Sequence, residues 1–191
     1  MTNPTPVGPR PPRVLLSGRP GCGKTTVIRR AVELIGASRC VGFYTEELRE
    51  RGRRIGFDVV TVDGRRAPLA RAGATGPKVS RYGVDVQGFE DLAVARLEDA
   101  LRGGVARVLV VDEIGKMELF SKRFCALLER IFEPRAPWAL LGTIMTGHHP
   151  QADGLKRRPH VSVVEVTRAN RDRLPADLSR SFDEYLRRAG A

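Results

Sequence analysis

The stretch Gly-Arg-Pro-Gly-Cys-Gly-Lys-Thr, residues 18–25, decides how this chain is interpreted. It fits the Walker A pattern G-x-x-x-x-G-K-[ST] without a mismatch. An apolar run at residues 14–16 precedes it, and apolar residues at helical spacing follow it as far as Ile35. In a strand, turn and helix of this kind, backbone N–H groups and the positive end of the helix dipole converge on one point. The sequence therefore predicts that residues 18–25, called the glycine-rich loop below, bind the phosphates of a nucleotide.

A second segment carries two adjacent carboxylates. Four apolar residues, 108–111, lead directly into Asp112 and Glu113, the pattern of a buried strand that ends in acids. A bare strand running into a polar loop would look the same, but the upstream loop favours a Walker B interpretation. Asp112 is then expected to hold Mg²⁺ opposite the Thr25 hydroxyl, and Glu113 to take a proton from the attacking water.

These two segments supply every predicted site residue. The predicted nucleotide-binding residues are Gly18, Arg19, Pro20, Gly21, Cys22, Gly23, Lys24, Thr25, Thr26, Val108, Leu109, Val110, Val111, Asp112, Glu113, Ile114 and Gly115. Lys24 and Glu113 are the predicted catalytic residues, with Lys24 reaching the β- and γ-phosphates. Thr25 and Asp112 are the predicted metal ligands, and Mg²⁺ is the predicted cofactor.

Apolar strands alternate with amphipathic helices along the chain, which predicts an α/β fold with a mostly parallel sheet covered by helices on both faces. The predicted strands are residues 14–16, 40–45, 108–111, 138–141 and 161–166, and the predicted helices are residues 27–35, 89–101, 124–132 and 175–188. Ser121 is the expected N-cap of the third helix. Residues 55–69 alternate around Asp63 and Gly64, which predicts an added hairpin at a sheet edge. Residues 71–83 carry three glycines and a proline and are expected to form a loop.

Length and composition bound the remaining possibilities. The chain has 191 residues, and five prolines among the first twelve predict a disordered leader, residues 1–12, before one domain, residues 13–191. No apolar stretch is long enough to cross a membrane, so no membrane association is expected. Three widely spaced cysteines fit neither a disulfide framework nor a zinc site, which favours the cytoplasm. No assembly signature is present, and a monomer is the expectation.

The net charge of +11 suits an anionic partner. The arginines are spread along the chain, however, and one Trp and three Tyr offer little for base stacking. Nucleic-acid binding is therefore possible but not favoured over a nucleoside triphosphate as the partner.

Six segments together resemble a known family. They are GRPGCGKTT (residues 18–26), GFYTEELR (42–49), RIGF (54–57), YGVDV (82–86), VDEIGKMEL (111–119) and EVTRANRDRL (165–174). In this order they resemble the THEP-type nucleoside-triphosphatases, also called the cancer-related nucleoside-triphosphatase family, over residues 13–187. The resemblance implies a RecA-like P-loop fold and slow, Mg²⁺-dependent hydrolysis of nucleoside triphosphates with a broad base preference. Residues 143–154 match the family pattern only loosely.

Two functions from other classes remain as alternatives. A nucleoside, nucleotide or polynucleotide kinase would need an acceptor site beside Glu113. A nucleotide-dependent RNA-binding switch would use hydrolysis only as a timer.

Five further groups of residues each have a functional and a structural interpretation. Lys116 could stabilise the transition state or pair with Glu118, and Glu46 could orient water or pair with arginines. Cys22 could be redox-sensitive or merely small, the His148 and His149 pair could bind metal or simply lie in a loop, and Arg157 and Arg158 could reach phosphate or face solvent.

Overall fold

Nine strands form one mixed sheet in a computed structural model, which describes residues 10–103 and 107–190. The strands are β1 (Arg13–Ser17), β2 (Cys40–Glu50), β3 (Arg53–Thr61), β4 (Arg66–Ala72), β5 (Lys78–Val79), β6 (Tyr82–Val84), β7 (Val108–Ile114), β8 (Ala139–Ile144) and β9 (Ser162–Glu165). Their order is β5-β6-β4-β3-β2-β7-β8-β1-β9. Five strands, β2, β7, β8, β1 and β9, pair in parallel. Beyond β2 the sheet continues with β3, β4, β6 and β5, which pair antiparallel and are called the antiparallel wing below.

Helices cover both faces of the sheet. They are α1 (Lys24–Ile35), α2 (Val86–Phe89), α3 (Ala95–Gly103), α4 (Lys122–Ile131), α5 (Pro150–Lys156) and α6 (Leu174–Arg188), with a π-helical stretch, Glu90–Val94, joining α2 to α3. The apolar stripes of α1 and α6 pack on one face of the parallel strands. The buried residues of α2 to α5 pack on the other face, with Phe43, Phe89 and Phe124 in edge-to-face contact at the centre.

The RecA-like fold class is confirmed, including the helices on both faces and the added antiparallel strands. Ser121 caps α4 as expected, since its hydroxyl accepts a hydrogen bond from the Phe124 N–H at 2.9 Å. The predicted helix over residues 89–101 forms the end of α2, the π-helical stretch and most of α3. Residues 104–106 lie outside the described residues. The predicted leader lies mostly within residues 1–9, which are also outside them, and the Pro12 carbonyl accepts a hydrogen bond from the Leu140 N–H.

Two expectations were wrong, and one helix was not predicted. Residues 71–83 are not wholly a loop, because the short strands β5 and β6 form there and β6 pairs with β4. The hairpin β3–β4 therefore does not lie at the sheet edge, because β6 and β5 cover its outer side. Residues 150–156 form a helix, α5, that the short amphipathic pattern of Ala152 and Leu155 did not reveal. No helix among residues 10–103 and 107–190 has the length and apolar character needed to span a membrane.

Gly42 allows β2 and β7 to approach each other where the two kinds of pairing meet. Its φ is +141°, a conformation that other residues rarely adopt. A Cβ atom at this position would lie 1.9 Å from the carbonyl oxygen of Val110 on β7. Only glycine therefore allows β2 to pair with β7 while its other edge accepts β3.

Gly42→Ala is expected to lower the free energy of unfolding by about 3 kcal/mol or more, because the added methyl group must displace the Val110 backbone. Gly154→Ala is the matched control. A Cβ at Gly154, within α5, meets nothing within 4 Å, so this variant should match or exceed wild-type stability by about 0.5–1 kcal/mol. Urea denaturation of both variants checks the difference, and an unchanged Gly42→Ala midpoint would contradict the close approach.

Candidate active site

The glycine-rich loop joins the end of β1 to the start of α1. Gly23 has φ +104°, which turns the chain into the helix without a side-chain cap on its first N–H groups. The Lys24 ammonium extends back across the loop and donates a hydrogen bond to the Gly18 carbonyl at 3.1 Å. The loop thus directs backbone donors, a helix N-terminus and a cation to one place, which is an anion-binding arrangement.

Asp112 lies wholly within the core at the end of β7. Asp112 is only 2% exposed, and its Oδ1 accepts a hydrogen bond from the Thr143 hydroxyl of β8 at 2.6 Å. Its Oδ2 is buried and has no hydrogen-bond partner in the part of the chain that the structure describes. Burial raises the pKa of the Asp112 carboxyl, and Thr143, the Thr25 hydroxyl and the Lys24 ammonium oppose that rise. The carboxylate therefore has one fixed oxygen and one oxygen that still requires a partner.

Glu113 is placed beside the glycine-rich loop by an irregularity in β7. The register between β7 and β8 shifts between Val111 and Ile114. Such an irregularity changes the directions of the side chains within it, here those of Asp112 and Glu113. The Glu113 side chain is half-buried, and burial raises the pKa of its carboxyl while the nearby Lys24 ammonium lowers it. A raised pKa makes the ionised Glu113 carboxylate a stronger proton acceptor than an exposed carboxylate.

A cavity of about 830 Å³, called the large cavity below, connects these groups. It lies between the glycine-rich loop, the end of β7 and the inner side of the antiparallel wing. The predicted site residues that line it are Gly18, Pro20, Gly21, Gly23, Lys24, Thr25, Thr26, Asp112, Glu113 and Gly115. The remaining predicted residues do not line it: Arg19 is exposed, Cys22 packs beside a core cluster, and Val108, Leu109, Val110, Val111 and Ile114 are buried within the sheet.

The structure adds residues that the sequence did not single out. Thr143 holds Asp112, and the segment that follows it, residues 145–147, lines the large cavity. This segment matched the family pattern only loosely, yet it closes the site. The signal that could have found it is its position at the end of β8, because the carboxyl ends of neighbouring parallel strands meet at one edge of a sheet. Arg29, one turn after Thr25 on α1, also lines this cavity.

The structure places the other candidate residues of the sequence analysis in ion pairs, at a helix end or along the large cavity. Glu46 pairs with Arg29 and Arg66 while it lines the large cavity, so its carboxylate is engaged by arginines. Lys116 is exposed and lines the large cavity, and the described residues contain no ion pair between it and the buried Glu118. His148 pairs with Asp153 of α5, and His149 is the N-cap residue of that helix. Arg158 pairs with Glu129 and donates a hydrogen bond to the Phe132 carbonyl, a structural role.

Glu118 is a buried carboxyl that the motif alone did not mark as unusual. It is 4% exposed and lines the large cavity, with Oε2 at 2.9 Å from where a Cβ of Gly115 would lie. Burial, reinforced by the neighbouring Glu113 carboxylate, raises the pKa of Glu118 to about 8. The folded protein therefore holds a proton on Glu118 at neutral pH, whereas the unfolded chain does not.

We expect wild-type stability to fall as the pH rises from about 5 to 8, because over that range the unfolded chain releases the Glu118 proton while the folded protein keeps it. Glu118→Gln keeps the neutral shape and removes this loss. The difference in unfolding free energy between variant and wild type should grow by roughly 2–4 kcal/mol across that range, since one pKa unit is worth about 1.4 kcal/mol. Denaturation curves at pH 5 and pH 8.5 measure it, and parallel pH dependences would contradict a neutral Glu118.

Among the described residues, no group of three or more His, Cys, Asp or Glu side chains is arranged to enclose a metal ion by itself. The donors present are instead one hydroxyl and one carboxylate beside an anion-binding loop. Together with the strand order, this defines the class: a RecA-like P-loop NTPase fold whose glycine-rich loop and strand-end acids face one cavity.

Comparison with known proteins places the chain more narrowly. The family model described as NTPase matches residues 13–179, and the chain belongs to this family. It is 40% identical over 176 residues to nucleoside-triphosphatase THEP1 of Natranaerobius thermophilus, covering 91% of this chain and 97% of that protein. It is 44% identical over 184 residues to the human cancer-related nucleoside-triphosphatase, covering 86% and 93%. The crystal structure of THEP1 from Aquifex aeolicus superimposes with a TM-score of 0.81 at 36% identity, covering 90% of this chain and 99% of that chain.

Proposed function

We propose that this protein hydrolyses nucleoside 5′-triphosphates to the diphosphate and phosphate in a Mg²⁺-dependent reaction with a broad base preference. The observation that carries the proposal is the Asp112 carboxylate, which is fixed through Oδ1 and leaves the buried Oδ2 without a partner beside Thr25 and Lys24. Relatives named as nucleoside-triphosphatases support it.

The residues present fit a magnesium ion. Mg²⁺ is commonly held by one or two protein oxygens together with substrate phosphates and water. The Thr25 hydroxyl and the orphaned Asp112 Oδ2 would hold it, and the bound ion would neutralise charge developing on the β–γ bridge. An orphaned carboxylate oxygen in the core is otherwise costly, which is why a cationic partner explains it better than a purely structural role.

The chain's own groups account for the remaining steps. Backbone N–H groups of the glycine-rich loop bind phosphate oxygens, and the Lys24 ammonium moves from the Gly18 carbonyl to the β- and γ-phosphates. Glu113 orients the attacking water and accepts its proton.

Glu113→Gln is expected to lower phosphate release by about 10²–10⁴-fold, because the amide cannot accept the proton. Nucleotide affinity should remain within a few-fold of wild type. The measurement is phosphate release from ATP, GTP, CTP and UTP with Mg²⁺, with Glu133→Gln as control because Glu133 is exposed and does not line the large cavity. Undiminished release by Glu113→Gln would remove Glu113 from the mechanism.

Asp112→Asn separates metal binding from folding. The amide oxygen can still accept the Thr143 hydrogen bond, but the charge is lost, so half-maximal activity should need about ten-fold more Mg²⁺ or greater. Stability should be equal or higher, because burial disfavours the charge that the variant removes. An unchanged Mg²⁺ requirement in the Mg²⁺ titration would sink the assignment of Asp112 as a ligand.

One observation favours a second candidate, phosphoryl transfer to an organic acceptor. The large cavity extends past Glu113 to the apolar side chains of Phe57, Leu69 and Val79, which phosphate and water do not need. Release of phosphate without any added acceptor supports hydrolysis, whereas transfer of the labelled γ-phosphoryl group to an added nucleoside or polynucleotide, without release of free phosphate, supports the kinase.

An RNA-binding switch gains less support, because several arginines of the antiparallel wing already pair with carboxylates, as Arg66 does with Glu46 and Asp58. Adding RNA to the same assay tests it. Hydrolysis that is indifferent to RNA, together with RNA affinity that does not change with nucleotide, would dismiss the switch.

A further inference from the structure

Glu118 is a buried acid that the proposed reaction leaves without a role. It lines the large cavity although it is only 4% exposed, and it lies in the short turn that follows β7. The Leu119 N–H donates a hydrogen bond to the Gly115 carbonyl at 3.0 Å, and the Ser121 N–H donates one to the Glu118 carbonyl at 3.0 Å. These bonds fix the backbone of the turn beside the strand end that carries Glu113.

The Glu118 side chain folds back onto its own turn. Its carboxyl accepts hydrogen bonds from the backbone N–H groups of Glu118 itself and of Gly115. The Gly115 N–H belongs to the stretch of backbone that directly follows Glu113. Rotation of this backbone would redirect the Glu113 side chain, so the contact with Gly115 restricts where Glu113 can point.

The carboxyls of Glu113 and Glu118 also meet at Gly115. A Cβ atom on Gly115 would lie 2.9 Å from Glu118 Oε2, 3.4 Å from Glu113 Cγ and 3.5 Å from Glu113 Cδ. Because Gly115 has no side chain, this space is open to both acids. Glu113 and Glu118 therefore lie against the same side of the Gly115 backbone.

Glu118 adds no negative charge beside Glu113 at neutral pH. Burial, and after it the Glu113 carboxylate, raises the pKa of Glu118 to about 8, and no cation in the described part of the chain pairs with it. A protonated carboxyl can pack beside Glu113, where an ionised one would repel both Glu113 and a terminal phosphate. An unpaired buried acid lowers stability, and proteins tolerate such groups mainly at functional sites.

We propose that Glu118 is a positioning residue for the reaction, and that its buried carboxyl, held on the Gly115 backbone, fixes the Glu113 side chain in the orientation that holds the attacking water. This role rests on the proposed function of Glu113 in hydrolysis and deepens it. A general base must lie within hydrogen-bond distance of the water that it deprotonates, and a small displacement lowers the rate steeply. Glu118 acts through Glu113 and not on the nucleotide.

The first test separates turnover from nucleotide binding. Glu118→Met keeps an unbranched side chain but removes the oxygens that accept the Gly115 N–H. Its kcat for phosphate release from ATP with Mg²⁺ should fall by about 10- to 100-fold, while KM stays within about three-fold of wild type. Glu118→Gln keeps a neutral group with an acceptor oxygen and should recover kcat to within about three-fold of wild type.

A double-mutant cycle with Glu113→Gln tests whether Glu118 acts through Glu113. In the Glu113→Gln background, Glu118→Met should lower the remaining single-turnover rate by less than about two-fold, because the group that it positions is already disabled. Losses that multiply would overturn the inference. An unchanged kcat in Glu118→Met, a loss in Glu118→Gln as large as that in Glu118→Met, or a loss expressed wholly in KM would overturn it as well.

Leu119→Ala is the matched control for a general loosening of the turn. Leu119 is buried next to Glu118 and does not line the large cavity. This variant should lower the free energy of unfolding yet keep kcat within about two-fold of wild type. An equal loss of kcat in Leu119→Ala would assign Glu118 a structural role only. Glu118→Asp, which is one methylene too short for the same contacts, replaces Glu118→Met in the cycle if Glu118→Met does not fold.

The same proteins separate this inference from the proposed hydrolysis. Wild type that releases no phosphate, or Glu113→Gln that releases it at the wild-type rate, would contradict the proposed function and this role with it. A loss of phosphate release in Glu113→Gln with an unchanged kcat in Glu118→Met would leave the proposed function standing and overturn the role of Glu118 alone.

Discussion

One buried hydrogen bond organises this molecule, the 2.6 Å contact from the Thr143 hydroxyl on β8 to Asp112 on β7. A carboxylate in the core is costly unless its oxygens are satisfied, and this bond satisfies one of the two. It also ties together the ends of two adjacent parallel strands, with the glycine-rich loop after β1 on the other side of β8. The other oxygen, Oδ2, has no hydrogen-bond partner among the described residues, and we propose that a bound cation satisfies it.

The antiparallel wing forms one wall of the large cavity. Because β2 pairs with β7 on one edge and with β3 on the other, the wing extends the sheet past the active-site edge. The Glu46 carboxylate on β2 pairs with Arg29 on α1 and Arg66 on β4, which links the wing to the helix that follows the glycine-rich loop. The large cavity therefore has walls from both halves of the sheet, and Gly42 is the residue that lets the halves join.

Local patterns predicted much of this fold and the centre of the site. The alternation of apolar strands and amphipathic helices identified the parallel sheet, and residues 18–25 with Asp112 and Glu113 identified the residues that meet at its edge. The strands β5 and β6 escaped prediction because the pairing of β6 with β4, and of β5 with β6, outweighs the glycines and proline of residues 71–83. Glu118 and Thr143 were missed because burial of a polar side chain depends on neighbours distant in sequence.

The most direct test of the account is a crystal structure of the full chain with Mg²⁺ and a β,γ-imido nucleoside triphosphate. We predict the metal between Thr25 and Asp112 Oδ2, and the terminal phosphate facing Glu113 with one water between them. A terminal phosphate directed away from Glu113, or a metal bound without Asp112, would contradict the central claim that these strand-end carboxylates carry out the reaction.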